Sequence, residues 1–227
     1  YATGILAPPN GTGTFSVVGW VWIDDLAVDE TKNIFSFGPS ADIAADFEFG
    51  NESTQSRFIE ILVFDTIGDL ECAPNNTSNP QDEWIGFLVT YVSGVGCDIV
   101  TWRPDGTIRT KLFNSLNGNG GNMPSTLLHQ IGKDIRNTTS LLDGKMARYM
   151  AFFGVELTPD QAEAMLFAAD PCFGPMASDM DVYLPLAAND DNRDLGGNNG
   201  CENSRTITIN ASSLAEISGP SNVPASN

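Results

Sequence analysis

The feature that most restricts this chain is a succession of short runs rich in β-branched and aromatic residues, each closed by turn-forming residues. "TFSVVGWVWI" (Thr14–Ile23) is followed by "NIFSFG" (Asn33–Gly38), "ADFEFG" (Ala45–Gly50) and "RFIEILVF" (Arg57–Phe64). Next come "EWIGFLVTYV" (Glu83–Val92), "CDIVTWR" (Cys97–Arg103), "TIRTKLF" (Thr107–Phe113), "LLHQIG" (Leu127–Gly132) and "GKMARYMAFFGVEL" (Gly144–Leu157). Runs of this length and composition read as strands. "PDG" (Pro104–Gly106) joins two of them as a hairpin, Pro setting one φ and Gly supplying a positive one. Segments spaced in this way predict two antiparallel sheets packed face to face.

One helix stands apart. In "LTPDQAEAMLFAADP", Thr158 is the N-cap, Pro159 takes the first helical position and Gln161 completes a capping box. Ala162, Met165, Leu166 and Ala169 form one apolar stripe, and Pro171 stops the helix. The expected fold class is all-β: a two-sheet antiparallel sandwich with one short helix near residues 158–169. A chain of 227 residues fits one large domain of this kind. Residues 1–213 are read as that domain and residues 214–227 as an extended tail, loose or lying on a neighbour. The chain begins with Tyr1 and not Met, so an N-terminal piece is expected to have been removed.

Charge narrows the partners. The chain carries 29 acidic against 11 basic residues, a net charge of -18, which excludes nucleic acid and anionic lipid surfaces. No apolar run reaches the roughly 20 residues of a membrane helix. Cys72, Cys97, Cys172 and Cys201 include no C-x-x-C pair, and no histidine stands near them, which argues against zinc. Pairing Cys72 with Cys97 and Cys172 with Cys201 joins segments close in sequence and places the chain in an oxidising compartment or on a particle surface. Four buried free thiols are the alternative.

The order of elements resembles the laminin-G-like, concanavalin-A-like jelly-roll family. "FSVVGWVWI" is similar to its first core strand, with Trp20 in the place of the usual tryptophan. "EWIGFLVTYVSGVGCDIVTWRPDG" resembles its tryptophan-led strand, here Trp84, and the strand and Gly turn that follow. "LLHQIG" and "GKMARYMAFFGVELTPDQAEAML" resemble its late strands and short helix. "DVYLPLAANDDNRDLGGNNG" resembles the ending of versions carried by marine bacteria and their phages, with Leu184 in place of Trp and Gly196 in place of Ser. The resemblance implies a jelly-roll sandwich. The family spans enzymes, lectins and structural modules, so function has to come from a site.

Four sets of residues are candidates. Asp46 and Glu48 alternate onto one face of a strand, as the acids of a glycoside hydrolase do, but Gly50 and Asn51 separate them from Glu52, so a solvated strand face is the expectation. Glu60 reads as a second lone acid on a wet face. His129, the chain's one histidine, lies in an apolar strand with no nucleophile motif beside it. Asp190, Asn192 and Asp194 alternate in "DDNRDLGG" with Gly196 just beyond, a spacing of hard oxygen ligands that can wrap Ca2+; the resemblance, which implies a calcium at a sheet rim, adds to that expectation. Among the tryptophans, the resemblance implies core positions for Trp20 and Trp84, which are expected to pack, and Trp20 and Trp22 share a face. Trp102, beside Arg103 at the hairpin end, is expected to be the exposed one and to bind ligand with Arg103, with core packing or a subunit contact as the alternative.

The expected function is therefore a non-catalytic surface module. Its expected setting is the virion surface or the extracellular space, as a phage structural component in the form of a decoration, fibre or adhesion protein. Other subunits, copies of itself and glycans are the expected partners. A secreted calcium-dependent lectin is the alternative, and a glycoside hydrolase using Asp46 and Glu48 is the weaker one.

Overall fold

The computed structural model describes residues 2–6, 13–24, 30–38, 45–51, 58–63, 70–72, 82–115, 127–132, 142, 144–184, 186, 193–194, 205–206 and 208–209. In chain order the elements are β1 (Ala2–Leu6), β2 (Thr14–Ile23), β3 (Glu30–Gly38), β4 (Ala45–Asn51), β5 (Phe58–Val63) and β6 (Leu70–Cys72). They continue with β7 (Trp84–Val92), β8 (Gly96–Trp102), β9 (Ile108–Ser115), β10 (Leu127–Ile131) and β11 (Gly144–Phe153). After helix α1 (Pro159–Leu166) come β12 (Val182–Leu184) and the two-residue strands β13 (Arg193–Asp194), β14 (Arg205–Thr206) and β15 (Thr208–Ile209).

Two antiparallel sheets form the body. One has seven strands in the order β15-β1-β10-β3-β4-β5-β6, the other six in the order β12-β11-β2-β7-β8-β9. Phe15, Val17, Val21, Ile85, Phe87, Tyr149 and Ala151 of the six-stranded sheet meet Phe35, Phe37, Phe47, Ile61 and Val63 of the other. The rings interlock, with Phe47 and Phe87 centroids 5.3 Å apart and Phe15 edge-on to Phe37 at 5.4 Å. The disulfide Cys72–Cys97 ties β6 of one sheet to β8 of the other, so this expected pairing is present. Cys172 is disulfide-bonded as well; its expected partner, Cys201, lies outside the described residues.

A second apolar layer explains why β2 and β7 are apolar almost throughout. Val18, Trp20, Leu88, Val100, Trp102 and Met150 point away from the other sheet, and α1 covers them with Ala162, Met165 and Leu166. A strand buried on both faces has no reason to alternate. The helix begins as expected: Thr158 accepts from the Gln161 amide, and the Gln161 side chain accepts from the Thr158 amide at 2.9 Å. It is shorter than expected, ending at Leu166, and Ala169 is exposed beyond its end. Pro171 opens a 3-10 turn, Pro171–Phe173. β11 also ends early, at Phe153, because Gly154 takes φ 77° and turns the chain out of the sheet. The departing segment is held by buried Ser16, whose hydroxyl donates to the Val155 carbonyl at 2.9 Å and accepts from the Leu157 amide at 2.9 Å.

Arg193–Asp194 pairs with Arg205–Thr206 as a separate two-stranded ribbon. Residues 214–227 lie outside the described residues. Among the described residues no helix is long and apolar enough to cross a membrane.

Candidate functional site

One rim of the six-stranded sheet gathers aromatic and charged side chains. β2 ends there at Ile23, β7 begins at Trp84, β11 begins at Gly144, and the hairpin between β8 and β9 turns there. Register places Lys145 opposite Trp22 and Trp22 opposite Trp84, so three side chains from three strands stand in one row. Trp22 is half-buried and Trp84 is 7% exposed; their rings meet edge to face at 6.0 Å. The row lies beyond the part of the sheet that α1 covers most closely, which is why Trp22 is not sealed as Trp20 is.

Polar groups frame the ring. The Trp22 indole Nε1 donates to Asp24 Oδ1 at 2.8 Å. Lys145 Nζ stands over the Trp22 ring, 4.7 Å from its centroid. It is 4.0 Å from Asp24 Oδ1, and the Lys145 and Asp24 side chains are 37% and 47% exposed. An ion pair of that length and exposure is worth about 0–1 kcal/mol, so it does not lock the ammonium in place. On the other side of Trp84, Arg109 Nη2 binds Glu83 Oε1. The rim therefore offers an aromatic face, a mobile cation and a carboxylate within one side chain's reach of each other. These are the parts that hold a sugar, whose C–H face stacks on an indole and whose hydroxyls both donate and accept.

The hairpin beside it is rigid. The Arg103 amide donates to the Thr107 carbonyl at 2.8 Å, the Gly106 amide donates to the Arg103 carbonyl at 3.0 Å, and Gly106 takes φ 86°. Asp105 accepts from the Thr107 amide at 2.9 Å and from its hydroxyl at 2.7 Å, and these two hydrogen bonds, the hydroxyl's first, hold the carboxyl below the usual carboxylate range.

Arg103 is exposed in this hairpin, but Trp102, the tryptophan expected to be exposed, is not. Trp102 is 0% exposed and packs in the layer under α1. It faces the helix because it sits opposite Gly86, one row further into the sheet than Trp84. The half-exposed tryptophan on this rim is Trp22. Its pairing with Trp20 on one face was legible, but the reach of the helix over that face was not. Trp20 and Trp84 pack as expected.

The acids of the other sheet take a different arrangement from the one expected. Glu48 stands opposite Glu60 on β5 and opposite Asn33 on β3, so Glu60 is no lone acid. Asp46 stands two positions earlier, opposite Ser36 and Leu62. Asn33 and Ser36 are fully buried and Glu48 and Glu60 half-buried. His129 pairs with Phe37 in register and lies in the strand expected of it. Of the proposed calcium ligands, Asp190 and Asn192 lie outside the described residues, and Asp194 pairs with Arg205 across β13 and β14. Among the described residues no group of three or more His, Cys, Asp or Glu side chains is placed to hold a metal.

No protein-family model matches the sequence, and no curated protein matches it. Solved structures do. The chain is similar to the enzymatically active domain of bacteriophage CBA120 tailspike protein 2, with TM-score 0.57 and 9% identity over 73% of this chain and 26% of that one. It is similar to a Bacteroides ovatus protein provisionally named as carbohydrate binding, with TM-score 0.56 and 13% identity over 92% of this chain and 58% of that one. It is similar to a heptameric SAP-like pentraxin from Limulus polyphemus, with TM-score 0.50 and 13% identity over 77% of this chain and 78% of that one. At these identities the likeness is one of fold. The chain has the concanavalin-A-like, laminin-G-like jelly-roll fold.

Proposed function

We propose that this chain is a non-catalytic jelly-roll module on an outer surface, a structural component of a phage virion that holds glycan at the Trp22 rim and rests against neighbouring subunits. One observation carries the glycan reading: a half-buried indole with Lys145 over its face and Asp24 on its edge. The virion setting is supported by the resemblance of the chain's ending, by the fold shared with a phage tailspike domain and by the net charge of -18, which keeps crowded copies from aggregating. Calcium at Asp190, Asn192 and Asp194 is proposed with it, as the feature that would make the module a calcium-dependent lectin.

A glycan array probed with the wild-type chain and with Trp22→Ala tests the reading. Binding by the wild type that the variant loses, at an unchanged melting temperature, supports it; a blank array removes glycan binding. An arm with EDTA reads the calcium requirement. Peptides of this chain in purified phage particles support the virion setting, and their absence from every particle fraction of the source culture contradicts it.

The Glu48–Glu60 register favours a second reading, a glycoside hydrolase. Directly opposed strand residues have Cβ atoms about 4.5–5.5 Å apart, near enough for two Glu side chains to reach the roughly 5–5.5 Å between carboxyl groups in a retaining enzyme. Reducing-end release from a glucan that Glu48→Gln or Glu60→Gln abolishes would replace the non-catalytic reading.

A further inference from the structure

We propose that the Trp22 rim takes a neutral sugar through two adjacent hydroxyls, and not a carboxylated or sulfated one; the inference rests on the glycan reading above and names its ligand class. Lys145 Nζ is 4.0 Å from Asp24 Oδ1, beyond hydrogen-bond reach, and otherwise lies over an aromatic face. Among the described residues no acceptor lies within hydrogen-bond reach of its N–H groups, which can therefore turn to a ligand. Asp24 uses Oδ1 to accept from the Trp22 indole, and among the described residues no donor reaches Oδ2, which can accept from a ligand. One donor group and one acceptor group thus stand side by side at the edge of one indole.

A pair of neighbouring sugar hydroxyls matches that arrangement, one hydroxyl donating to Asp24 while the next accepts from Lys145. The C–H face of the same ring then lies on Trp22 in the place the ammonium leaves. Lys145 can swing aside because its contacts among the described residues are an exposed cation–π contact and a long ion pair.

An anionic sugar fits poorly for reasons of charge. A carboxylate or sulfate brought to Lys145 comes within a few ångströms of Asp24, so attraction and repulsion nearly cancel. The next cations along the rim are already engaged, Arg109 by Glu83 and Arg103 by the hairpin that contains Asp105. The whole chain, at -18, repels a polyanion before contact.

The test is binding of the full chain to an array carrying neutral and acidic glycans, followed by titration with laminarin and dextran as neutral probes and alginate and dextran sulfate as anionic ones. Expected is binding to neutral glycans that changes little with salt and that Asp24→Asn and Lys145→Met each weaken about tenfold or more, a change of about 1.4 kcal/mol, with melting temperatures unchanged. Binding confined to acidic glycans and falling steeply with salt overturns the neutral class while the glycan reading stands. Neutral binding that neither substitution weakens moves the site away from this rim and overturns the inference as well. Binding to nothing on the array removes the glycan reading itself, and the inference with it.

Discussion

Arg148 donates through Nη1 to the Leu166 carbonyl at 3.3 Å, so a residue of β11 closes the C-terminus of the helix that lies on the sheet. The same guanidinium reaches the carbonyls of Ala168 and Ala169, and the Trp20 indole points at the Leu166 carbonyl from 3.4 Å. Arg148 is 3% exposed and sits at φ 53° where the β11–β2 register shifts between Ala147 and Met150. The irregularity turns a strand side chain into a cap, and a cation suits the negative end of a helix. Desolvation is the main influence on Arg148 and lowers its pKa, with Tyr183 and Asp170 opposing the shift. Replacing it with methionine removes the donor to the part-buried Ala168 and Ala169 carbonyls and leaves the Leu166 carbonyl with the long Trp20 contact. Arg148→Met is expected to cost about 2–3 kcal/mol in urea unfolding, and to loosen α1 before the two-sheet core in hydrogen exchange.

The Cys72–Cys97 bridge spans 25 residues and ties the sheets together. A loop of that size contributes about 3–4 kcal/mol through the unfolded chain. The double variant Cys72→Ser with Cys97→Ser is expected to lose about that much, and more if the buried hydroxyls find no partner. Denaturant midpoints under oxidising conditions, compared with the wild type before and after reduction, measure it.

Gly144 stands where β11 approaches β2. A Cβ there would lie 1.9 Å from the Trp22 carbonyl oxygen, and a backbone atom cannot step aside as a side chain does. Gly144→Ala is expected to cost about 1–3 kcal/mol by overpacking, and to shift Trp22 fluorescence, because Lys145 and Trp22 are register partners beside it.

Two groups set opposite limits in pH. Tyr149 is fully buried, and desolvation raises its pKa well above 10.0. The unfolded phenol ionises near its ordinary value and the folded one does not, so stability holds below pH 10 and falls as pH rises from there toward the folded value. Asp105 has a lowered pKa, so its contribution to the hairpin is complete above the ordinary 3.8 and fades as pH falls through the lower folded value. Fluorescence-monitored unfolding is expected to show the alkaline loss, removed in Tyr149→Phe. NMR titration of the Thr107 amide is expected to show the acid step, removed in Asp105→Asn.

The sheets were legible because their strands carry apolar residues wherever a face is buried, and β2 and β7 are buried on both. The helix was legible through Thr158, Pro159 and Gln161, which act locally. Short strands such as β6 and β12, each of three residues, carry too little pattern to be seen. The rim was hidden for a different reason. Lys145, Trp22 and Trp84 are far apart in sequence and meet only through register, as do Glu48 and Glu60. Trp102 misled because its place at a strand end suggested exposure, while α1 and the turns after it close over that end of β8.

The most direct test of the account is a 1H–15N NMR titration of the full chain with a glycan selected on the array, read at the indole N–H groups of Trp20, Trp22, Trp84 and Trp102. Binding is predicted to move the Trp22 indole signal strongly and to leave buried Trp20 and Trp102 nearly still. Shifts that spare Trp22 and gather instead along β4 and β5, around Glu48 and Glu60, would contradict it.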